Sequence, residues 1–65
     1  MNDLSIVLCT YNEAAHIKEA LTKLISKTSV REIIIIDDDS SDGTANIIRS
    51  LRSDKIKFFL REKTR

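Results

Sequence analysis

The residues of this chain that are best suited to chemistry are acidic, and they stand together directly after its most apolar run. Residues 33 to 44 read IIIIDDDSSDGT, so four isoleucines are followed at once by Asp37, Asp38 and Asp39. Carboxylates accept hydrogen bonds from the N–H groups of a nucleobase and from ribose hydroxyls, and they also bind cations. Three adjacent like charges repel one another, so a purely structural role accounts poorly for all three.

Three interpretations of this acidic loop compete. Ser41 or Asp42 can cap a following helix and pin the turn, which explains those two residues. A calcium loop of the EF-hand type would begin at Asp38, but its twelfth position falls on Arg49, where a bidentate glutamate is required. The third interpretation is nucleotide recognition. Both the three-glycine dinucleotide fingerprint and the P-loop are absent, which favours a nucleotide held by its base and ribose, with a metal bridging its phosphates, as in a sugar nucleotide.

The strands that must position this loop are indicated by apolar runs. Residues 4–9, LSIVLC, and residues 32–37, EIIIID, are continuous and largely β-branched, which is typical of strands buried on both faces. Residues 56–60, IKFFL, predict a third strand, with Phe58 and Phe59 packing on the sheet.

Two helices are predicted between these strands. Apolar residues at helical spacing predict a first helix from about residue 13 to 26, with Asn12 as its N-cap and His16 exposed on it. A second helix follows the acidic loop, and its inner face is formed by Ile47, Ile48 and Leu51.

This order predicts an α/β fold with a three-stranded parallel sheet and two crossover helices (βαβαβ), which is half of a nucleotide-binding domain. Ligands of such sheets bind beyond the carboxyl ends of the strands. The loops CTYNE and DDDSSDGT leave two such ends, so we expect them to lie side by side. Residues 1–65 are expected to form one truncated domain of a longer enzyme.

Composition excludes several classes of function. Eleven basic and ten acidic residues give a net charge of +1, which is no footprint of a general nucleic-acid binder. A single cysteine, Cys9, and a single histidine exclude Cys-based and His-rich metal sites.

No apolar run approaches the ~20 residues of a membrane span, so we expect a cytoplasmic location, with membrane association through other parts of a longer protein. Basic residues alternate with apolar ones toward the end of the chain, which favours solvated faces over a polyanion patch: Arg49, Arg52, Lys55, Lys57, Arg61, Lys63 and Arg65.

Two segments together resemble a known family. SIVLCTYNEAAHIKEAL and EIIIIDDDSSDGT are similar to the N-terminal part of family-2 glycosyltransferases with the GT-A fold. Those enzymes commonly read PTYNE after the first strand and VDDGSSDGT after the second. The resemblance runs from Leu4 to about Leu51, and it implies the N-terminal half of a GT-A, Rossmann-like nucleotide-binding domain. The triple aspartate resembles the dolichol- or polyprenyl-phosphate mannosyltransferase branch, in which DDDS is frequent.

The resemblance implies a donor-nucleotide site and no catalytic residue in this segment. The implied site residues are Thr10, Tyr11, Glu13, Asp37, Asp38 and Asp39. Asp38 would bond the base imide, while Asp37 or Asp39 would shape the pocket or reach the ribose. Tyr11 would lie against the nucleobase, although packing of its ring on the sheet edge explains it equally well. Cys9 stands where the family has proline, and at the end of a buried strand we expect an unreactive thiol.

The resemblance also implies the partners of a longer parent enzyme. It would transfer a hexosyl group from a UDP- or GDP-linked sugar to an acceptor such as a polyprenyl phosphate or a glycan. A divalent cation, Mg²⁺ or Mn²⁺, would be bound by residues beyond this segment, so the 65-residue piece alone is expected to be inactive. Two rival functions remain open: a non-catalytic module that binds partners through its acidic loop, and an α/β phosphoryl-transfer domain. The second rival commonly has DxDxT, with threonine where Ser41 stands.

Overall fold

Five elements alternate along the chain in a computed structural model that describes residues 4–62. They are β1 (Leu4–Thr10), α1 (Ile17–Ile25), β2 (Val30–Asp37), α2 (Thr44–Ser50) and β3 (Ile56–Leu60). The strands form one parallel sheet in the order β1-β2-β3, so β2 is central. The predicted three-stranded parallel sheet with two crossover helices is therefore confirmed, and it is consistent with the N-terminal part of a GT-A domain.

The hydrophobic core lies between one face of the sheet and the two helices. Alternate residues of β2 are fully buried on this face, including Ile33 and Ile35. Each helix adds apolar side chains at helical spacing, because only one stripe of a short helix can face the sheet. The buried apolar residues of the core are Ile17, Leu21, Val30, Ile33, Ile35 and Ile48.

The other face of the sheet is open in the described part of the chain. Val7 is 60% exposed and Phe59 is 57% exposed, while Ile34 and Ile36 between them are half-buried. Burial on both faces was therefore a wrong expectation for these residues. The chain moves across the sheet in one direction, from β1 to β2 to β3. Because both βαβ connections have the same handedness, both helices lie on the same face of the sheet.

The first helix begins later than its sequence predicts. α1 starts at Ile17 and not near residue 13, and His16 precedes it without a side-chain cap, exposed as predicted. Asn12 is not the N-cap. The backbone N–H groups of residues 12–14 donate to side chains of the acidic loop, so these residues form a connection between loops and not a first helical turn.

The second helix begins at a left-handed glycine. Gly43 has φ +93°, a conformation that strains other residues, and it directly precedes α2. The N-cap position is therefore held by Gly43 without a side-chain cap, and not by Ser41 or Asp42 as predicted, although a carboxylate oxygen of Asp42 accepts the backbone N–H of Thr44 at 3.1 Å. With nine residues in α1 and seven in α2, no helix within residues 4–62 is long and apolar enough to cross a membrane.

Candidate functional site

Asp37, the first of the three aspartates, is fully buried at the end of β2. Its Oδ1 accepts hydrogen bonds from the hydroxyls of Thr10 and Ser40, both at 2.6 Å, and its Oδ2 accepts the backbone N–H of Ser40 at 2.9 Å. Burial alone would raise the pKa of Asp37, but the hydrogen bonds from Ser40 and Thr10 outweigh it and hold the pKa below its ordinary value. Asp37 therefore joins the ends of β1 and β2 as an internal, ionised acceptor.

Asn12 and the two serines fasten the loop after β1 to the acidic loop. The backbone N–H of Asn12 donates to Oγ of Ser40 at 2.8 Å. The backbone N–H of Ser41 donates to the side-chain oxygen of Asn12 at 2.9 Å. Asn12 has φ +51°, in the left-handed region that asparagine tolerates better than most residues. Its backbone and its amide thus both serve the contact between the loops.

Asp42 and Thr44 make a second connection between the same loops. The backbone N–H of Glu13 donates to Oγ1 of Thr44 at 2.9 Å, and that of Ala14 donates to Oδ2 of Asp42 at 3.0 Å. The hydroxyl of the buried Thr44 in turn donates to Oδ1 of Asp42. The hydrogen bond from Thr44, followed by the backbone bonds, lowers the pKa of Asp42. The two loops are therefore held in a fixed relation at the carboxyl ends of β1 and β2.

A pocket of about 280 Å³ opens between these loops at the carboxyl end of the sheet. It combines an aromatic ring, carboxylates and a guanidinium with the apolar side chain of Ile36. The side chain of Tyr11 is 53% exposed. The residues of the described chain that line it are Cys9, Thr10, Tyr11, Glu13, Ile36, Asp38 and Arg61. Small-molecule sites have this character: a concave, partly apolar surface with a few placed polar groups.

Asp38 and Asp39 diverge after the end of β2. The backbone N–H of Asp38 donates to the carbonyl oxygen of Thr10 at 2.9 Å, and its half-buried carboxylate lines the pocket. Nε of Arg61 lies 3.2 Å from Oδ1 of Asp38. Asp39 has φ +57° and is half-buried, and it is not among the residues of the described chain that line the pocket. Aspartate tolerates this left-handed turn position, which gives Asp39 a conformational role.

Four of the six predicted site residues come together in this pocket, and two do not. Thr10, Tyr11, Glu13 and Asp38 line it, although the hydroxyl of Thr10 is bonded to Asp37. Asp37 is turned into the interior instead, and Asp39 lies in the turn beyond. A direct contact of either with a ligand in this pocket does not fit the geometry. That the four lining residues bind a nucleotide stays a prediction.

Two residues that line the pocket, Cys9 and Arg61, were not predicted to do so. Cys9 is exposed and lines the pocket, so its burial at a strand end was a wrong expectation. Its side chain lies on the open face of the sheet. The alternation of basic and apolar residues predicts only a solvated side chain for Arg61, whereas Arg61 lines the pocket. The signal that reveals it is topological, because the residue after β3 must lie next to the residues after β2 in a parallel sheet.

The described residues do not fit a metal site. Within residues 4–62, no group of three or more His, Cys, Asp or Glu side chains is arranged to hold a metal ion. The carboxylates of Asp37 and Asp42 are occupied by internal hydrogen bonds, and that of Asp38 pairs with Arg61.

Comparison with known proteins gives one matching family and several related proteins. Residues 5–65 match the model of glycosyl transferase family 2. The chain is 35% identical over 95% of its length to a GalNAc(5)-diNAcBac-PP-undecaprenol beta-1,3-glucosyltransferase of Campylobacter jejuni. It is 33% identical over 92% of its length to a poly-beta-1,6-N-acetyl-D-glucosamine synthase of Staphylococcus aureus. It is 36% identical over 89% of its length to an uncharacterized glycosyltransferase of Mycoplasma pneumoniae.

The chain spans only 21%, 15% and 20% of the length of these three relatives, respectively. No solved structure matches it significantly. The family match nevertheless covers both loops of the pocket and all three strands. The chain belongs to glycosyl transferase family 2.

Proposed function

We propose that the full-length protein is a glycosyltransferase and that this segment binds the nucleotide part of its sugar donor. The observation that carries the proposal is the pocket in which Asp38, Tyr11 and Glu13 meet at the carboxyl ends of parallel strands. Ligands of open α/β sheets bind at this edge. Family membership supports the same reading, because its members are glycosyl transferases by name.

Each lining residue has a role that its chemistry supports. The carboxylate of Asp38 accepts the imide N–H of the base, since an ionised carboxylate only accepts hydrogen bonds. The ring of Tyr11 lies against the base, and Ile36 offers it an apolar contact. Glu13 faces the ribose side of the nucleotide. Asp37 acts indirectly, by fixing the ends of β1 and β2 through Thr10 and Ser40.

The donor is proposed to be a UDP- or GDP-linked hexose, and the acceptor a polyprenyl phosphate or a glycan. The Campylobacter relative is named for a glycan on undecaprenol diphosphate, which supports a lipid-linked acceptor. The triple aspartate supports the dolichol- or polyprenyl-phosphate branch. An acceptor oxygen attacks the anomeric carbon, and the nucleoside diphosphate leaves. Mg²⁺ or Mn²⁺ is proposed to be held by residues outside this segment, and a cytoplasmic, membrane-associated location suits such an acceptor.

The two rival functions fit the geometry less well. A module that binds partners through an acidic loop needs outward carboxylates, but Asp37 is buried and Asp42 is engaged by Thr44 and Ala14. A phosphoryl-transfer domain needs an accessible aspartate at the end of its strand. Asp37 occupies that position and is closed in by hydrogen bonds.

The test is donor turnover by the full-length protein. UDP-glucose, UDP-N-acetylglucosamine and GDP-mannose are each incubated with the enzyme, Mg²⁺ or Mn²⁺, and either polyprenyl phosphate or a membrane extract, and the released nucleoside diphosphate is measured. We expect release from one donor, dependent on the acceptor. Binding of a nucleotide without release from any donor would support a non-catalytic module and contradict the proposal.

A further inference from the structure

Arg61 approaches the acidic loop from the β3 side, whereas Tyr11 approaches it from the β1 side. It directly follows β3, and its backbone N–H donates to the carbonyl oxygen of Asp37 at 2.8 Å, which continues the β2–β3 pairing and fixes its position. Its side chain turns toward β2, where Nε lies 3.2 Å from Oδ1 of Asp38. Asp38 therefore lies between the residues that follow β1 and β3, and all three belong to one pocket.

The ion pair of Arg61 and Asp38 contributes little to folding. The two side chains are 70% and 28% exposed, and ion pairs in contact with water add little to stability. The ion pair has a local consequence instead. It holds the carboxylate of Asp38, which only accepts hydrogen bonds, beside the guanidinium of Arg61, which only donates them. Hydrogen bonding and charge from Asp38 raise the pKa of Arg61, so the guanidinium stays protonated.

We propose that Arg61 is a specificity-determining residue of the nucleotide site, donating to the base carbonyl oxygen that adjoins the N–H accepted by Asp38. The inference rests on the proposed function, which puts a nucleobase in this pocket. A guanidinium carries about five N–H donors in a planar fork, so its Nη atoms still carry donors when Nε faces Asp38. Uracil presents N3–H between O2 and O4, and guanine presents N1–H beside O6. In both bases an N–H donor thus lies beside a carbonyl acceptor, which complements the adjacent carboxylate of Asp38 and guanidinium of Arg61.

The test replaces single atoms of the ligand and compares variants of the full-length protein. Calorimetry measures the affinities for UDP, 2-thio-UDP and 4-thio-UDP, and for GDP and 6-thio-GDP, because sulfur is a weak acceptor. For the wild type we expect one thio analogue to bind about fivefold or more weakly than its parent. In Arg61→Met, which removes every donor but keeps a similar side-chain length, the parent should bind weakly and this preference should disappear.

The matched control is Arg49→Met. The guanidinium carbon of Arg49 lies 5.2 Å from the ring centroid of Phe58, and Arg49 is not among the described residues that line the pocket. This variant should keep both the affinity and the preference for oxygen.

The outcomes separate this inference from the function on which it rests. If the wild type binds neither UDP nor GDP, the proposed function itself fails. If it binds one of them but shows no oxygen preference, or if Arg61→Met keeps that preference, the role of Arg61 is overturned while the nucleotide site stands. A uniform loss of affinity with the preference retained would mean that Arg61 only supports Asp38, and it too would overturn the inference.

Discussion

The backbone nitrogen of Glu13 donates to Oγ1 of Thr44 at 2.9 Å, although 31 residues separate the two in sequence. Thr44 is fully buried, and its hydroxyl donates onward to Asp42. One hydroxyl thus joins the loop after β1 to the start of α2. Because Glu13 lines the pocket and Thr44 is not among the described residues that do, the pocket's shape depends on a contact made outside its lining.

Thr44→Val should destabilise the protein while nearly preserving its shape. Valine fills the same volume but removes the acceptor of the Glu13 N–H and the donor to Asp42. Leaving such partners unsatisfied in a partly buried place costs about 1–3 kcal/mol. The free energy of unfolding, obtained from urea denaturation, measures the effect.

Thr22→Val is the matched control for this substitution. The hydroxyl of Thr22 is exposed on α1 and donates to the carbonyl oxygen of Lys18 at 2.7 Å. Water can replace that bond, so the free energy of unfolding should change by less than about 0.5 kcal/mol. Equal losses in the two variants would show that the connection between the loops contributes nothing.

Asp37 should make the stability of the protein sensitive to acid. Its pKa in the folded state lies below the ordinary value of 3.8, so the ionised carboxyl favours the folded state. That contribution is complete above the unfolded-state pKa and is lost as the pH falls through the lower folded-state pKa. Urea denaturation between pH 7 and pH 2 should therefore show declining stability below about pH 4.

The variant Asp37→Asn isolates this contribution. It should be less stable than the wild type at neutral pH, because three hydrogen bonds to a charged acceptor are weakened, and its stability should fall less steeply in acid. Some acid dependence should remain, since the pKa of Asp42 is also lowered. Stability curves of equal slope for variant and wild type would refute this account of Asp37.

The sheet could be predicted from sequence because its signals are local. The apolar runs that form β1, β2 and β3 stand out by composition, and their bounds differ from the structure by at most two residues. The open face could not be predicted from the strands alone. Continuous apolar runs suggest two covered faces, whereas the side on which the helices pack depends on strand order and crossover hand.

The site was predictable only in part, because its organising contacts are remote in sequence. Asn12 followed by Glu13 predicts a helix start. Their backbone N–H groups instead donate to Ser40 and Thr44, which lie 28 and 31 positions further along the chain, and α1 begins only at Ile17. A run of three aspartates gives no local signal that the first is buried and the third occupies a left-handed turn. The position of Arg61 near the acidic loop could have been predicted, since the residues that directly follow parallel strands lie at the same edge of the sheet.

Cys9 should report on occupancy of the pocket. The thiol is exposed and lines the pocket, so iodoacetamide should alkylate it, and a bound nucleotide should slow that reaction. Mass spectrometry of the peptide that contains Cys9 measures the rate with UDP, with GDP and with inorganic phosphate as the control. If a nucleotide that binds leaves the rate unchanged, the binding site is elsewhere.

The most direct test of the nucleotide site compares Asp38→Asn with Asp39→Asn in the full-length protein. Both variants remove one charge from adjacent positions, and asparagine tolerates the left-handed conformation at residue 39. Calorimetric titration with the preferred nucleoside diphosphate measures the dissociation constant of each. We predict that Asp38→Asn weakens binding about tenfold or more, while Asp39→Asn stays within about twofold of the wild type. Unchanged affinity in Asp38→Asn, or equal losses in the two variants, would contradict the claim that Asp38 holds the base.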